Sequence, residues 1–364
     1  MIPMVDLKRQ YAQLKNRIDA AVGQALEQTQ FILGPNVAAL EKEVAAYHGL
    51  PHAVGCANGT DALLLALRAC GVGPGDEIIT TPFTFIATAE VAAQIGARPV
   101  FVDICPDTFN IDPEKIEDKI NSKTKAIVPV HLFGHPADMD PVIDLAKRYN
   151  LKVIEDCAQA FGATYQGQTV GTFGDAGCFS FFPSKNLGCY GDGGIVVTRD
   201  GEIASKIQML RNHGSAVRYY HSEVGYNSRL DEIQAAILRV KLPEIDKAND
   251  ARRKNAEAYR QAIKRKDILP PSERSGCRHV YHQFTLRLKD RQATADALLA
   301  AGIASAVYYP VPLNRQEVFL KMYDFPETLA VSDAAAAEVL SLPMFPELTG
   351  EEISQIADVI NNVR

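Results

Sequence analysis

The chain has 364 residues, 47% of them hydrophobic, which is enough to bury a core for two domains or for one large and one small domain. Its formal net charge is −6 without a basic block, which argues against nucleic acid and anionic membranes as partners. No apolar run reaches the roughly 20 residues that span a bilayer, the first residues lack a signal-peptide core, and the seven cysteines form no C-x-x-C pair, so we expect a cytoplasmic protein.

The first two hundred residues alternate helical and strand-like patterns. Short apolar runs such as "EIITTP", "RPVFVDI" and "LKVIEDCAQ" are separated by single amphipathic segments with helical spacing. This alternation indicates βαβ units, and apolar runs without a polar face are typical of parallel strands covered on both sides. The sequence therefore predicts an α/β fold with a mostly parallel sheet flanked by helices.

The pattern of apolar and charged residues changes after about residue 242. A long charged helix, "EIDKANDARRKNAEAYRQAIKRK", is followed by the strand-like segments "YHQFTLRLK" and "ASAVYYPVP", with a helical segment between them. We predict a large domain over residues 1–245 and a smaller α+β domain over residues 246–364.

Polar side chains follow one apolar strand at the place where ligands bind in such folds. "KVIEDCAQA" places Glu155, Asp156 and Gln159 at a strand end, and ligands of open α/β sheets bind beyond the carboxyl ends of the strands. A carboxylate in this position can instead cap the next helix. Both interpretations remain open for this segment alone.

A helix N-terminus in "CANGTDALLLAL" is a candidate anion site. Gly59 and Thr60 begin the helix, where free N–H groups and the helix dipole favour an anion, and Ser180 at the end of "AGCFS" could add a hydroxyl. The alternative is ordinary capping by Asn58, Thr60 or Asp61.

A single lysine, Lys185, lies between two apolar runs in "SFFPSKNLGCYGDGG". It is either the tip of a hairpin-like connection that faces water or a nucleophilic amine in a pocket. Combined with a phosphate site and a strand-end acid, it completes the set of groups that pyridoxal 5′-phosphate (PLP) requires. Lys185 would bind the cofactor aldehyde, Asp156 would keep the pyridine nitrogen protonated, and Gln159 would contact the phenolic oxygen.

Five segments in order along nearly the whole chain resemble a known family. "CANGTDALLLAL", "GVGPGDEIITTPFTFIATAE", "VIEDCAQAFGA", "GCFSFFPSKNLGCYGDGG" and "GYNSRLDEIQAAIL" are similar to the sugar aminotransferases of the DegT/DnrJ/StrS group. The resemblance implies a PLP-dependent enzyme of fold type I, the aspartate-aminotransferase-like fold, which acts as a homodimer with shared active sites.

The resemblance also implies roles for individual residues. It implies that Lys185 is the Schiff-base lysine and Asp156 the pyridinium partner, and that Phe85 stacks on the cofactor. Asn227 resembles an asparagine that reaches the phosphate of the other subunit. The cofactor-binding residues implied are Gly59, Thr60, Phe85, Asp156, Gln159, Ser180, Lys185 and Asn227.

The family's usual reaction implies the substrates. A keto sugar on a nucleotide becomes an amino sugar, L-glutamate becomes 2-oxoglutarate, and the cofactor alternates with pyridoxamine 5′-phosphate. Dehydratases of the family carry histidine in place of Lys185, so the lysine favours transamination. A sugar dehydratase and a non-catalytic sensor of the same fold are the rival functions.

The strings "SFFPSK", "NSRLD" and "YPVPLN" are most similar to enzymes that aminate C3 of a UDP-linked 3-keto-2-acetamido uronic acid for bacterial surface polysaccharides, such as the lipopolysaccharide O-antigen. Arg229, Tyr308 and Tyr309 are the candidate substrate contacts. Because the uronic-acid enzymes carry histidine where Tyr308 stands, a neutral 3-keto or 4-keto sugar remains an alternative.

His131 and His135 have a spacing that can bind a metal ion on a helix. The intervening glycine and the following proline predict a loop instead, and a third ligand of defined geometry is missing. We therefore predict no metal site.

Overall fold

The structure is a computed structural model that describes residues 1–325 and 327–363. Its longer helices are α1 (Leu7–Gln28), α2 (Pro35–His48), α3 (Gly59–Ala69), α4 (Ala87–Gln94), α5 (Met139–Tyr149), α6 (Gly201–Leu210), α7 (Glu232–Lys241), α8 (Ile245–Ala262), α9 (Arg291–Ala300), α10 (Glu317–Met322), α11 (Ala330–Glu338) and α12 (Gly350–Asn362). None of these described helices has the length and apolar character needed to cross a membrane.

The strands fall into one large and several small sheets. They are β1 (His52–Cys56), β2 (Glu77–Thr80), β3 (Arg98–Phe101), β4 (Thr124–Ile127), β5 (Lys152–Asp156), β6 (Thr164–Tyr165), β7 (Gln168–Thr169), β8 (Ala176–Ser180), β9 (Gly194–Thr198), β10 (Ser215–Val217), β11 (Tyr220–His221), β12 (Cys277–Arg278), β13 (Phe284–Arg287) and β14 (Val339–Leu342).

The large sheet has the strand order β1-β9-β8-β5-β4-β2-β3. Its strands run parallel except β9, which is antiparallel to both β1 and β8. The prediction of an α/β fold with a mostly parallel sheet is therefore confirmed. The carboxyl ends of β5 and β8 lie side by side at one edge of the sheet.

Helix α3 forms because its sequence supplies both a cap and an apolar face. The side chain of Asn58 accepts a hydrogen bond from the N–H of Asp61 at 2.8 Å, and residues 62–67 are all buried. This apolar face packs against β8 and β9. The packing fixes the N-terminus of α3 beside the carboxyl end of β8.

The residues after α7 build a second hydrophobic cluster. Helix α8 packs against α12, and β13 pairs with β14 in a two-stranded antiparallel sheet. Tyr259 and Phe284 stack in the middle of this cluster, with ring centroids 4.8 Å apart. Ile2 also packs there and bridges to Ile303, so the first residues join the C-terminal part of the fold. The predicted boundary between residues 245 and 246 stays a prediction.

The strand predicted for "ASAVYYPVP" is wrong. Residues 304–312 make one isolated bridge, from Ala306 to Ser341, and otherwise form no strand. Pro310 and Pro312 lack the N–H groups that a strand ladder needs. The aromatic residues that suggested a strand belong to an aromatic cluster, in which the ring of Tyr309 packs against Phe83.

Candidate active site

The parallel pairing of β5 and β8 brings the predicted groups together. Asp156 ends β5 opposite Cys178, two residues before Ser180 ends β8. A Cβ atom on Gly59 would lie 2.5 Å from Cβ of Ser180, so the start of α3 almost touches the end of β8. Only glycine permits that approach.

The N-terminus of α3 retains free donors. Asn58 caps the N–H of Asp61, as the alternative interpretation expected, but the N–H groups of Gly59 and Thr60 have no partner among the described residues. The Ser180 hydroxyl oxygen accepts from the N–H of Phe182 at 3.3 Å, which leaves its hydrogen free to donate. Three donors are therefore available to one phosphate group.

Asp156 is buried, with 5% of its surface exposed. Its carboxylate accepts from the hydroxyl of Thr88 at 2.8 Å and from the N–H of Ala158 at 3.1 Å. Burial raises the pKa of Asp156 above its ordinary value, whereas these hydrogen bonds and the charge of Lys185 oppose the rise. A cation placed against this carboxylate would compensate its burial and keep it ionised.

Lys185 is half-buried in the loop between β8 and β9. Its backbone N–H donates to the carbonyl of Phe182 at 2.8 Å, but its ammonium has no hydrogen bond or ion pair with the described residues. Burial lowers the pKa of Lys185 to about 8, against a smaller opposing effect of Asp156. At pH 7 Lys185 is therefore a free, nucleophilic amine in about a tenth of the protein molecules.

The same loop is also a hairpin-like connection, because β8 and β9 pair antiparallel on either side of it. The glycine at its end has a structural reason: a Cβ on Gly194 would lie 2.2 Å from the carbonyl oxygen of Asn58. The end of this loop therefore lies against the N-terminus of α3, in the same connection that carries Lys185. Both interpretations of the segment apply, but the lysine is not simply directed to water.

Gln159 joins the site to the segment that was wrongly predicted as a strand. Its Oε1 accepts from the N–H of Phe133 at 2.7 Å, so its Nε2 points the other way and donates to the Tyr309 hydroxyl at 3.0 Å. Phe85 lies next to Tyr309, with ring centroids 6.4 Å apart, and exposes 53% of its surface. An exposed aromatic face beside buried polar groups suits a planar ligand.

Tyr308 is half-buried beside Tyr309. Burial raises the pKa of Tyr308, and no charged group of the described residues contributes to that rise.

Asn227 and Arg229 are not joined by hydrogen bonds to the groups above within residues 1–325 and 327–363. Asn227 is exposed and bridges to Asn212. Arg229 donates to the Oδ1 of Asn212 at 3.4 Å and has no carboxylate partner among the described residues. Ser228, between them, accepts from the N–H of Ala57 at 3.2 Å, which places this segment near the start of α3.

Glu155 and His131 form a buried hydrogen bond that the sequence did not predict. Glu155 accepts from the N–H groups of Gly171, Phe173 and Gly174 at 2.7–2.8 Å, and its contact with Nε2 of His131 is 3.0 Å. The Nδ1 of His131 accepts from the N–H of Ala137, so Nε2 carries the hydrogen.

His131, Glu155 and Cys157 lie close enough together to suggest a metal site. Both ring nitrogens of His131 are already used, and burial raises the pKa of Cys157 well above its ordinary value, which keeps it a thiol. These hydrogen bonds serve the fold. The arrangement does not favour a metal ion.

The residue types present fit PLP. A buried carboxylate suits a protonated ring nitrogen, three free donors suit a phosphate, and an amine of lowered pKa suits an aldehyde. Thr88 belongs to this set and was missed from the sequence. The sequence feature that could have identified Thr88 is its position as a polar residue on the buried face of the helix that follows Phe85.

A comparison with known families matches residues 12–361 to the DegT/DnrJ/EryC1/StrS aminotransferase family. A UDP-N-acetyl-3-dehydro-alpha-D-glucosamine 3-aminotransferase from Acidithiobacillus ferrooxidans is 52% identical over 99% of this chain and 97% of that protein. A UDP-2-acetamido-2-deoxy-3-oxo-D-glucuronate aminotransferase from Pseudomonas aeruginosa is 46% identical over the full length of both. A pleiotropic regulatory protein from Geobacillus stearothermophilus is 50% identical over 99% of this chain and 97% of that protein.

Solved structures agree with these relatives. Streptomyces venezuelae DesV, in complex with a ketimine intermediate, has a TM-score of 0.96 and 41% identity over 99% of this chain and 97% of that chain. Bacillus subtilis NtdA, with bound cofactor PMP, has a TM-score of 0.89 and 32% identity over 96% of this chain and 82% of that chain.

We expect Lys185 to react as an amine of lowered pKa. In the protein without cofactor, labelling of Lys185 by a small amine-specific reagent should be half-maximal at about pH 8, because only the free amine reacts. Peptide mass spectrometry over a pH series measures it. Asp156→Asn removes a charge that raises this pKa, so its midpoint should be lower. A wild-type midpoint near 10.5, the ordinary lysine value, would contradict the expectation.

We expect Glu155 to be important for stability. Glu155→Ala leaves three backbone N–H groups without their acceptor, and at about 1–3 kcal/mol for each unpaired group the free energy of unfolding should fall by about 3 kcal/mol or more. Urea unfolding measures the loss. Glu155→Gln keeps the shape and one acceptor oxygen, so its loss should be smaller. Equal stability of wild type and Glu155→Ala would disprove the role.

Proposed function

The chain belongs to the DegT/DnrJ/EryC1/StrS aminotransferase family, and from that premise we propose that this PLP-dependent aminotransferase converts a UDP-linked 3-keto-2-acetamido sugar into the 3-amino sugar. The observation that carries the proposal is the unpaired Lys185 amine beside the buried carboxylate of Asp156. An aminotransferase needs both groups, whereas a protein that only senses a ligand needs neither a reactive amine nor its lowered pKa.

When bound, PLP supplies an aldehyde that links to amines and a ring that withdraws electrons from the substrate carbon. Gly59, Thr60 and Ser180 would hold its phosphate. Asp156 would keep a proton on the ring nitrogen, and Thr88 would keep Asp156 oriented through its 2.8 Å hydrogen bond.

The remaining residues of the chain complete the reaction. Lys185, once released, would move the proton at the carbon that gains or loses the amino group, since its lowered pKa allows both donation and acceptance near neutral pH. Phe85 would cover one face of the ring. Gln159 can direct its second amide hydrogen to the phenolic oxygen, because its Oε1 is already engaged by Phe133.

The tyrosine at position 308 favours a sugar without a carboxylate at C6. Tyr308 occupies the position where the uronic-acid enzymes that this sequence resembles carry histidine, and no charged group of the described residues affects its pKa. Desolvating a carboxylate is unfavourable unless a positive charge compensates it, and the phenol of Tyr308 supplies no such charge. The relative from A. ferrooxidans is named for a neutral sugar, in line with this choice. The uronic acid and 4-keto sugars are the alternatives, with Arg229 available to a carboxylate or a diphosphate.

The proposal includes L-glutamate as donor, a cytoplasmic homodimer, and a role in bacterial surface polysaccharide synthesis. Support for the dimer comes from the hairpin of β10 and β11. Val217, Tyr219 and Tyr220 expose 63%, 78% and 76% of their surfaces there, and apolar patches of this kind favour association. Asn227 follows this hairpin, which is consistent with its contacting the phosphate in the other subunit.

The reaction should run backwards with 2-oxoglutarate on UDP-linked 3-amino-2-acetamido sugars. We expect the neutral sugar to give the highest kcat/KM. The tyrosine at position 308 cannot carry a positive charge, so it would not compensate the carboxylate of a uronic acid. Liquid chromatography of the nucleotide sugars measures turnover over a panel that includes the uronic acid and 4-amino sugars. Preference for the uronic acid would reject the neutral substrate, and no turnover of any member would reject the proposed sugar class.

Lys185→Ala should abolish both turnover and the absorbance band of lysine-bound cofactor, because it removes the amine itself. Asp156→Asn should retain the band while lowering kcat, since it weakens the hold on the ring-nitrogen proton. Stopped-flow absorbance with L-glutamate separates the two variants. Wild-type turnover in Lys185→Ala would exclude the assigned role.

Mixed dimers should show whether the active sites are shared. A dimer with Lys185→Ala in one subunit and Asn227→Ala in the other keeps one intact site if Asn227 acts across the interface. Activity should then recover relative to either homodimer. If Asn227 acts within its own subunit, both sites carry one defect and no recovery is expected.

A further inference from the structure

The residue after Lys185 is held by a buried polar network. Asn186 donates through Nδ2 to the Oδ1 of Asn249 at 2.8 Å and to the carbonyl of Val280 at 3.1 Å. Its Oδ1 lies 3.1 Å from the Nδ1 of His282. Asn186, Asn249 and His282 are all buried, so these contacts exclude water.

The network fixes the hydrogen position on His282. Both hydrogens of the Asn186 amide are used in donation, so its Oδ1 must accept, and Nδ1 of His282 must carry the hydrogen. The Nε2 atom then has a free lone pair and no hydrogen bond among the described residues. His282 is a donor through one nitrogen only.

His282 is neutral. Burial lowers its pKa well below the ordinary value, and the charges of Lys185 and Arg252 lower it further. Its 3.1 Å contact with Asn186 places the ring beside the segment that carries Lys185, because Asn186 directly follows the lysine. A neutral ring that donates through Nδ1 can hold the Lys185 loop in place without adding a charge to the site.

We propose that His282 is a positioning residue for Lys185, because its Nδ1–H holds Asn186 and thereby keeps the adjoining amine in its half-buried position. The inference rests on the role proposed for Lys185. His282 lies in the C-terminal part of the chain, 97 residues from Lys185, so this hydrogen bond connects that part of the fold to the reactive group. If the bond is lost, the loop relaxes and the amine gains water.

The two nitrogens of the ring can be tested separately. In His282→Asn the side-chain amide can place an N–H near the position of Nδ1, whereas His282→Gln places it near Nε2, and His282→Leu has neither. The measured quantity is the pH midpoint of Lys185 labelling in the full chain without cofactor. His279→Leu is a matched control, since His279 is also buried but does not contact Asn186.

We expect the midpoint of wild type and His282→Asn at about pH 8, and a midpoint about one unit higher in His282→Gln and His282→Leu. A rise of one unit lowers the free-amine fraction at pH 7 about tenfold. Asn186→Ala should give the same rise and His279→Leu should not. Restoration of the wild-type midpoint by His282→Asn is the result that general destabilisation would not produce.

Three results would overturn the inference: an unchanged midpoint in His282→Leu, a rise of equal size in His282→Asn, or rescue by His282→Gln alone. The last result would assign the effect to Nε2. These outcomes are distinct from a failure of the proposed function, which would appear as wild-type turnover in Lys185→Ala whatever the His282 variants do.

Discussion

The site depends on a buried carboxylate that lacks a cationic partner within the described residues. Asp156 lies at the end of β5 with only neutral donors, Thr88 and Ala158, directly bonded to it. Taking such a group out of water is unfavourable unless a positive charge compensates it. Under the proposed function, the protonated ring nitrogen of the cofactor would compensate Asp156, and the unpaired amine of Lys185 would bind the cofactor aldehyde.

Rigid surroundings make this arrangement possible. The carboxylate of Glu155 joins β5 to the turn that begins at Gly171, and the contact between Gly59 and Ser180 joins α3 to β8. In the first attachment a buried side-chain carboxylate accepts from backbone N–H groups, and in the second a glycine lets two chain segments lie in close contact. The candidate site residues at the ends of β5 and β8 are therefore held in defined positions, which reduces the reorganisation that binding of a ligand would require.

Much of the fold, and the closeness of the candidate residues Gly59, Asp156 and Ser180, could be predicted from the sequence, because both follow from local patterns. The apolar run before Asp156 predicted a strand, and polar residues at strand ends predicted the ligand-binding edge. The strand predicted for residues 304–312 was wrong because aromatic residues suit a sheet and an aromatic cluster equally well. Thr88 was missed because its partner, Asp156, is 68 residues away in the chain. The network around Asn186 was missed for the same reason.

Glu155 and Asp156 are adjacent in β5, yet one bonds to a turn in the protein interior and the other faces the ligand-binding edge. Side chains of a strand alternate between its two faces, so a shift of one position would exchange the two carboxylates. Insertions and deletions inside β5 are consequently far more damaging than substitutions. Laboratory libraries that alter chain length to change substrate choice would best leave residues 152–156 intact and vary the loops that follow the carboxyl ends of the strands.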